Sequence, residues 1–238
     1  MTRAERYKIQ IDGLFQYWKI KPVSGFINHS EGVFISDGVV DPDTWFDQEC
    51  RPLFLLKEAY NGESDWSLTS HLRESTERCG ATWRRVSQWT EGLLNTTKDA
   101  IYPFWQQGAV RYGNEFLRRI AVMNVKKSGG KNRSNDQELL DYAEYDKLEL
   151  YEQLQIVDPT VIVCGYTIQC LNRILPVAVK ERAGQSPNLY YWTEINQHPV
   201  LILDYWHPSN QYPDFMNYYG LVGAYQQALK DEENRGRL

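Results

Sequence analysis

The segment "PVLILDYWHPSNQYP" (residues 199–213) joins an apolar run to a short polar loop. Residues 199–205 are rich in Val, Leu and Ile without alternating polar residues, which is typical of a strand covered on both faces in a parallel sheet. Pro208 cannot donate a ladder hydrogen bond, so the strand must end near it. The segment therefore predicts a buried strand that presents His207 at its end, although a simple turn histidine would give the same pattern.

Three further apolar runs have the same character, and helical patterns separate the four runs. The three runs are "PLFLL" (52–56), "IAVMN" (120–124) and "TVIVCG" (160–165). Apolar residues recur at helical spacing in residues 83–95, 146–157, 167–175 and 219–233. Strands that alternate with helices form right-handed βαβ units. We therefore predict an α/β fold, a three-layer α/β/α sandwich around a central four-stranded, largely parallel sheet.

The domain organisation follows from length and from the absence of sequence boundaries. The chain has no internal repeat and no low-complexity linker, and its 238 residues are enough for one large core. We predict a single domain over residues 1–238. Residues 1–45 are rich in aromatic and turn residues, and we expect them to form an N-terminal extension packed on this domain.

The composition is that of an ordinary globular protein, with 42% hydrophobic and 24% charged residues. No apolar run approaches the roughly 20 residues of a membrane helix, and the N-terminus lacks the apolar segment of a signal peptide. The four cysteines lack the spacing of a metal site. We therefore expect a cytoplasmic protein with reduced thiols, no membrane contact and no metal or other cofactor, and we take it to be a monomer.

The charge distribution allows only a local contact with nucleic acid. A net charge of −5 argues against indiscriminate binding, which depends on neutralising many phosphates. One basic segment exists, "NVKKSGGKNR" (124–133), and it carries Lys126, Lys127, Lys131 and Arg133. Taken alone, this segment also fits an ordinary solvated loop.

The ends of the predicted strands point to a functional edge. Ligands of open α/β sheets bind beyond the carboxyl ends of the strands. Three of the four strands lead there into polar or ionisable residues, namely Glu58, Asn124 and His207. A carboxylate, an amide and an imidazole are thus predicted to converge on one edge, with the basic segment beside them.

Four segments along the chain, "KEAYNG" (57–62), "NVKKSGGKNR" (124–133), "YEQLQIVDPTVIVCG" (151–165) and "HPSN" (207–210), together resemble the uracil-DNA glycosylase superfamily. "KEAYNG" (57–62) is a degenerate form of the family's first motif, and "HPSN" (207–210) matches its second motif directly. "NVKKSGGKNR" (124–133) and "YEQLQIVDPTVIVCG" (151–165) are similar to segments of the family's iron–sulfur branch. The resemblance covers about residues 52–229. It implies the α/β/α fold predicted above and an enzyme that removes a base from DNA.

The chain departs from the family pattern at several positions. Ser128 and, near the next expected cluster cysteine, Asp146 replace the thiols of the iron–sulfur branch, so we expect no cluster. Tyr60 replaces the proline of the first motif. Asn61 stands where uracil enzymes carry a tyrosine that excludes 5-methyl groups, which predicts space beside C5 of a pyrimidine.

The resemblance assigns roles to the residues at the strand ends. His207 would donate a hydrogen bond to the departing base, and Glu58 would orient the attacking water. The alternative for Glu58 is a surface carboxylate paired with Lys57 or Lys126. Asn124 would hydrogen-bond the edge of the base, and its amide could recognise uracil in one orientation or cytosine in the reversed one. Alternatively, Asn124 could cap the following loop.

The remaining predicted contacts concern the flipped base and the DNA strand. We expect Trp83, with Trp66 as its rival, to stack on the base, and Tyr60 and Asn61 to line its pocket. Gln211 and Tyr212 occupy the place of the family's wedge. The predicted DNA contacts are Lys126, Lys127, Lys131, Arg133, Ser209, Asn210, Gln211 and Tyr212.

The sequence thus predicts a monofunctional DNA glycosylase that acts without a metal. Its expected substrate is a 5-substituted pyrimidine, such as hydroxymethylated or glucosylated cytosine in phage DNA. The alternatives are uracil excision in repair, a non-catalytic nucleic-acid-binding protein of the same fold, and a hydrolase of free nucleosides. Lys57 adds a minority alternative, because an amine near the sugar could form a Schiff base and cleave the strand.

Overall fold

A six-stranded, mostly parallel sheet organises the part of the chain that the structure, a computed structural model, describes. The described residues are 1–60, 62–74, 80–106, 115–130, 134–179 and 190–235, with only the backbone described for 233–235. The strands are β1 (Ile35–Ser36), β2 (Gly38–Val39), β3 (Pro52–Tyr60), β4 (Trp66–Ser67), β5 (Ala121–Gly130), β6 (Val161–Gly165), β7 (Tyr190–Ile195) and β8 (His198–Tyr205). The sheet order is β2-β5-β3-β6-β8-β7, and β1 pairs with β4 separately.

The prediction of an α/β fold with a largely parallel sheet is confirmed, but the prediction of four strands is wrong. The four predicted segments form the parallel centre, β5-β3-β6-β8. An antiparallel strand closes each edge, β2 beside β5 and β7 beside β8. β7 turns into β8 through Asn196 and Gln197, whose φ angles of 51° and 63° suit a two-residue hairpin turn.

Helices pack against both faces of this sheet. They are α1 (Arg3–Lys19), α2 (Pro42–Trp45), α3 (Leu68–Glu74), α4 (Ala81–Asn95), α5 (Asp136–Tyr145), α6 (Lys147–Val157), α7 (Ile168–Ile174) and α8 (Asp214–Arg235). Short 3-10 helices cover Phe104–Gln106 and Glu115–Arg119. The four predicted helical segments correspond to α4, α6, α7 and α8. Among the described residues, no helix is both long and apolar enough to cross a membrane.

Two separate apolar cores result from the alternation of side chains along the strands. Leu53 and Leu55 of β3 join a core on the first face, which α1, α5, α6 and α7 cover. Phe54 and Leu56 join a core on the second face, which α3, α4 and α8 cover. Burial on both faces explains why these strands carry apolar residues at successive positions.

The N-terminal region contributes to the first core and to the sheet edge. A capping box between Thr2 and Glu5 begins α1. The helix buries Tyr7, Ile11, Leu14 and Trp18 against the first face. The Tyr7 hydroxyl accepts a hydrogen bond from the backbone N–H of Val39 at 2.7 Å. This bond ties α1 to β2.

Gly92 of α4 provides a test of the packing on the second face. A Cβ added there would lie 2.6 Å from Cε2 of Tyr218 and 2.8 Å from Cγ2 of Val222, both on α8. We expect Gly92→Ala to lower the free energy of unfolding by about 1–3 kcal/mol, because the crowded core must shift. Gly13→Ala is the control: no atom lies within 4 Å of its added Cβ, so helix propensity should raise stability by about 1 kcal/mol. Chemical denaturation measures the free energy of unfolding of both variants, and an equal change in the two would contradict this packing.

Candidate functional site

A cavity of about 600 Å³ lies at the carboxyl ends of the parallel strands. Glu58, Asn124 and His207 all line it, so the structure brings the three predicted residues together. Each of them lies two positions after a residue of β3, β5 or β8 that packs in the second-face core. The strand period therefore carries each of them onto the face that α3 and α4 cover.

The His207 imidazole is held in one tautomer by the residue two positions on. The backbone N–H of Ser209 donates to Nδ1 at 3.2 Å, and the Ser209 hydroxyl lies 2.7 Å from the same atom. Because a backbone N–H can only donate, Nδ1 is the acceptor and Nε2 carries the proton. Burial lowers the pKa of His207 from 6.5 to about 4, and the nearby Lys57 ammonium adds to this shift. The ring is therefore neutral at pH 7 and offers one N–H donor.

The loop after His207 is fixed by a buried arginine that the sequence did not single out. Arg85 of α4 donates to the backbone oxygens of Pro208 and Asn210, both at 2.7 Å, and of Tyr212 at 3.1 Å. Its guanidinium also pairs with Asp214 at 2.6 Å. No sequence signal separates Arg85 from its neighbour Arg84, because the helix carries several other polar residues. Arg85 thus braces the loop that carries the histidine.

Asn124 offers an unoccupied amide to the cavity. The residue is 3% exposed, and within the described residues its side-chain amide has no hydrogen-bond partner. The amide can donate and accept along the edge of a bound base. The predicted alternative, a cap on the following loop, is not observed, because β5 continues to Gly130.

Glu58 is paired with Lys126, one of the two partners considered for it. Its Oε2 lies 3.2 Å from Nζ of Lys126, and Lys126 also contacts Glu138 at 2.5 Å. Burial works against the charged form of Lys126, but Glu138 and Glu58 outweigh it and raise its pKa. A Cβ at Gly130 would lie 2.5 Å from Cγ of Glu58. Only glycine at that position leaves room for the carboxylate.

Aromatic and polar side chains complete the lining of the cavity, and those from β4, α3 and α4 are called its outer wall below. Trp66, His71 and Trp83 line it from β4, α3 and α4, and Tyr60 lines it from the end of β3. Trp66 and His71 make an edge contact with ring centroids 6.1 Å apart. Both predicted stacking tryptophans therefore remain candidates, and sequence reasoning missed His71. Asn61 lies outside the described residues.

Two of the four basic residues predicted to contact DNA, Lys126 and Lys127, are buried. Lys127 is completely buried and pairs with Asp37 at 2.6 Å, which corrects the expectation that its side chain contacts DNA. Lys126 is 7% exposed and bound to two carboxylates, so protein groups already pair its ammonium. Lys131 and Arg133 lie outside the described residues.

Lys57 lines the cavity and pairs with Asp136 at 2.7 Å rather than with Glu58. This contact occupies the amine that a Schiff-base reaction would need.

The loop 209–212 divides into exposed and bracing residues. Ser209, Gln211 and Tyr212 are exposed, as a DNA contact requires, and Tyr212 packs on Trp206 with centroids 4.6 Å apart. Asn210 instead braces the loop: its side-chain amide donates to the His207 backbone oxygen at 2.8 Å and accepts from the Tyr212 N–H at 2.9 Å. Asn210 is thus placed to support the loop rather than to contact DNA.

The two positions that match cluster cysteines do not fit an iron–sulfur cluster. The Ser128 hydroxyl lies 3.0 Å from the Tyr142 hydroxyl. The Asp146 carboxylate is buried and contacts Nε2 of His29 at 3.0 Å and Nζ of Lys21 at 3.2 Å. Neither residue supplies a thiolate, and protein groups already satisfy both.

Comparison with known proteins adds no family to this geometry. A scan against protein-family models finds no match, and a search of curated proteins finds no similar protein. The family resemblance therefore rests on the sequence motifs alone.

We expect one of the four histidines to titrate near pH 4 and to remain the Nε2–H tautomer at pH 7. Because folding lowers the pKa of His207, the unfolded chain binds more protons than the folded chain between pH 6.5 and 4. The free energy of unfolding should therefore decrease as the pH is lowered from 6.5 to 4. Heteronuclear NMR on ¹⁵N-histidine protein measures the tautomer and the titration. The resonance missing in His207→Gln identifies the residue; a titration midpoint above 6 would contradict the assignment.

Proposed function

We propose that this protein is a DNA glycosylase of the uracil-DNA glycosylase superfamily, with the three-layer α/β/α sandwich of that family. It hydrolyses the N-glycosidic bond of a base flipped out of DNA and leaves an abasic site. The observation that carries the proposal is that Glu58, Asn124 and His207 line one cavity at the carboxyl ends of parallel strands.

The chemistry requires two kinds of charge stabilisation. When the C1′–N bond breaks, its electron pair leaves with the base, and the sugar gains oxocarbenium character. Neutral His207 donates its Nε2–H to the oxygen that becomes negative on the base. Glu58 offsets the positive charge of the sugar and accepts the proton of the water that captures C1′.

The other residues of the site would select and hold the flipped base. Asn124 hydrogen-bonds the base edge with its free amide, and Trp83 or Trp66 offers an aromatic face. Gln211, at the exposed tip of the braced loop, enters the stack that the base has left. The bracing by Arg85 and Asn210 supports this role, because a wedge must resist the closing duplex.

We further propose that the substrate is a 5-substituted pyrimidine, such as a hydroxymethylated or glucosylated cytosine. The cavity of about 600 Å³ has the size of a site for a much larger ligand than a single base. Its outer wall supplies Trp66, His71 and Thr82, which combine an aromatic surface with hydrogen-bonding groups. Such a wall suits a polar substituent on the base, and uracil is the runner-up substrate.

Base release tests the reaction. Oligonucleotides with candidate bases, single-stranded and duplex, are incubated with the protein and then treated with hot alkali, which cleaves abasic sites. We expect His207→Ala and Glu58→Gln each to lower kcat by roughly 10²–10³-fold, the typical effect of losing one donor or one general base. His198→Ala is the matched control, because His198 begins the strand that His207 follows and lies at its opposite end; it should keep wild-type activity.

The same assay distinguishes the alternatives. Binding without alkali-labile sites supports a non-catalytic protein, and turnover of free nucleosides alone supports a metabolic hydrolase. Strand cleavage before alkali, lost in Lys57→Ala, supports the Schiff-base reaction. Unchanged base release by His207→Ala would contradict the proposed mechanism.

A second experiment tests the substrate. Release is compared among DNA containing uracil, unmodified cytosine and glucosylated hydroxymethylcytosine at one salt concentration. We expect the modified base to be preferred and His71→Ala to lower its release by about 10-fold, the effect of one lost hydrogen bond, with little change for uracil. Efficient release of uracil alone would overturn the substrate proposal and leave the glycosylase proposal standing.

A further inference from the structure

The outer edge of β5 loses its strand partner where the functional site begins. β2 pairs only Gly38 with Val122 and Val39 with Ala121. The N–H and C=O of one strand residue point to the same side, so those of Asn124 would face an unpaired edge. A buried ion pair takes the place of the missing strand: the Asn124 N–H donates to Oδ2 of Asp37 at 2.7 Å, and its C=O accepts from Nζ of Lys127 at 2.9 Å.

The ion pair itself is buried and further supported. Oδ1 of Asp37 lies 2.6 Å from Nζ of Lys127, and both side chains are fully buried. Gln153 of α6 donates to the same Oδ1 at 2.8 Å, and the Lys127 ammonium lies 5.2 Å from the centre of the Trp18 ring. Burial lowers the pKa of Lys127, and the Asp37 carboxylate opposes this effect.

Stability alone does not account for this arrangement. Apolar residues of similar volume often replace a buried ion pair without loss of stability. What an apolar pair could not do is satisfy the N–H and the C=O of Asn124 together. The Asn124 side chain has no hydrogen-bond partner within the described residues, so its direction depends on its backbone.

We propose that Asp37 and Lys127 are positioning residues that fix the peptide groups of Asn124 and thereby aim its amide at the base. This role rests on the proposed function and deepens it, since it concerns how the base is selected. The pair does not touch the substrate. Its effect on base choice passes through Asn124.

The test measures the effect of the double substitution Asp37→Leu/Lys127→Met twice. It is introduced once into the wild-type protein and once into the Asn124→Ala variant. The double variant removes both charges, so neither is left buried and unpaired. We expect it to lower kcat/KM at least 10-fold for the preferred pyrimidine and to shrink the ratio between preferred and poor pyrimidines. In the Asn124→Ala background the same two substitutions should leave that ratio unchanged, because the group they position is gone.

The control removes a partly buried ion pair at the other end of the sheet. Arg51 precedes β3 and lies 3.0 Å from Asp158, so Arg51→Met should lower the melting temperature without changing the ratio between pyrimidines. An equal change of the ratio in both backgrounds, or the same change in Arg51→Met, would show a merely structural role and overturn the proposal.

Amide hydrogen exchange separates this proposal from the proposed function. The Asn124 N–H should exchange at least 10-fold faster in the double variant than in wild type, while amides of β6 and β8 keep their rates. If wild type releases no base, the proposed function fails, and with it the role in base selection. If wild type is active but the Asn124 N–H exchanges at the wild-type rate in the double variant, the positioning role alone fails.

Discussion

The two-residue period of the strands is the constraint on which the site depends. Along β3 the second face receives Phe54 and Leu56 in the core and then Glu58 at the cavity. The same period leads from Val122 to Asn124 on β5. A shift of one residue in strand register would turn each polar group onto the opposite face and dismantle the cavity. The apolar residues that fix the register therefore also fix the chemistry.

Two buried cations near the site bind backbone groups of the protein itself. Arg85 binds three backbone oxygens of the loop after His207, and Lys127 binds the backbone of Asn124. Each is balanced by one carboxylate, Asp214 or Asp37. A loop, or a strand edge beyond the end of its partner strand, has donors and acceptors that no neighbouring strand satisfies. Charged side chains satisfy them here, and two of the three polar groups at the cavity, Asn124 and His207, are held as a result.

The sequence predicts the parallel centre of the sheet because strands buried on both faces have an unbroken apolar pattern. It does not reveal β2, which has two residues, or β7, whose "YYWTEI" includes polar Thr193 and Glu194. The convergence of Glu58, Asn124 and His207 was predictable, because each comes at the carboxyl end of an apolar run, although β3 and β5 continue past the strand ends that the sequence predicts. The burial of Lys127 was not predictable, because a charged residue in a sequence carries no sign of whether it is buried. Its partner lies 90 residues away in the chain, and no local pattern connects them.

The cavity is lined by two groups of residues that are anchored differently. Glu58 and Asn124 lie within the central strands β3 and β5, and His207 follows β8 by two residues. The outer wall comes instead from β4, α3 and α4, and α3 is anchored to the second core through Leu68 and Leu72. Side chains on this wall can change in size or polarity without moving the strand ends. Under the proposed function, contacts with a substituent of the base can therefore change on the outer wall while Glu58, Asn124 and His207 keep their places.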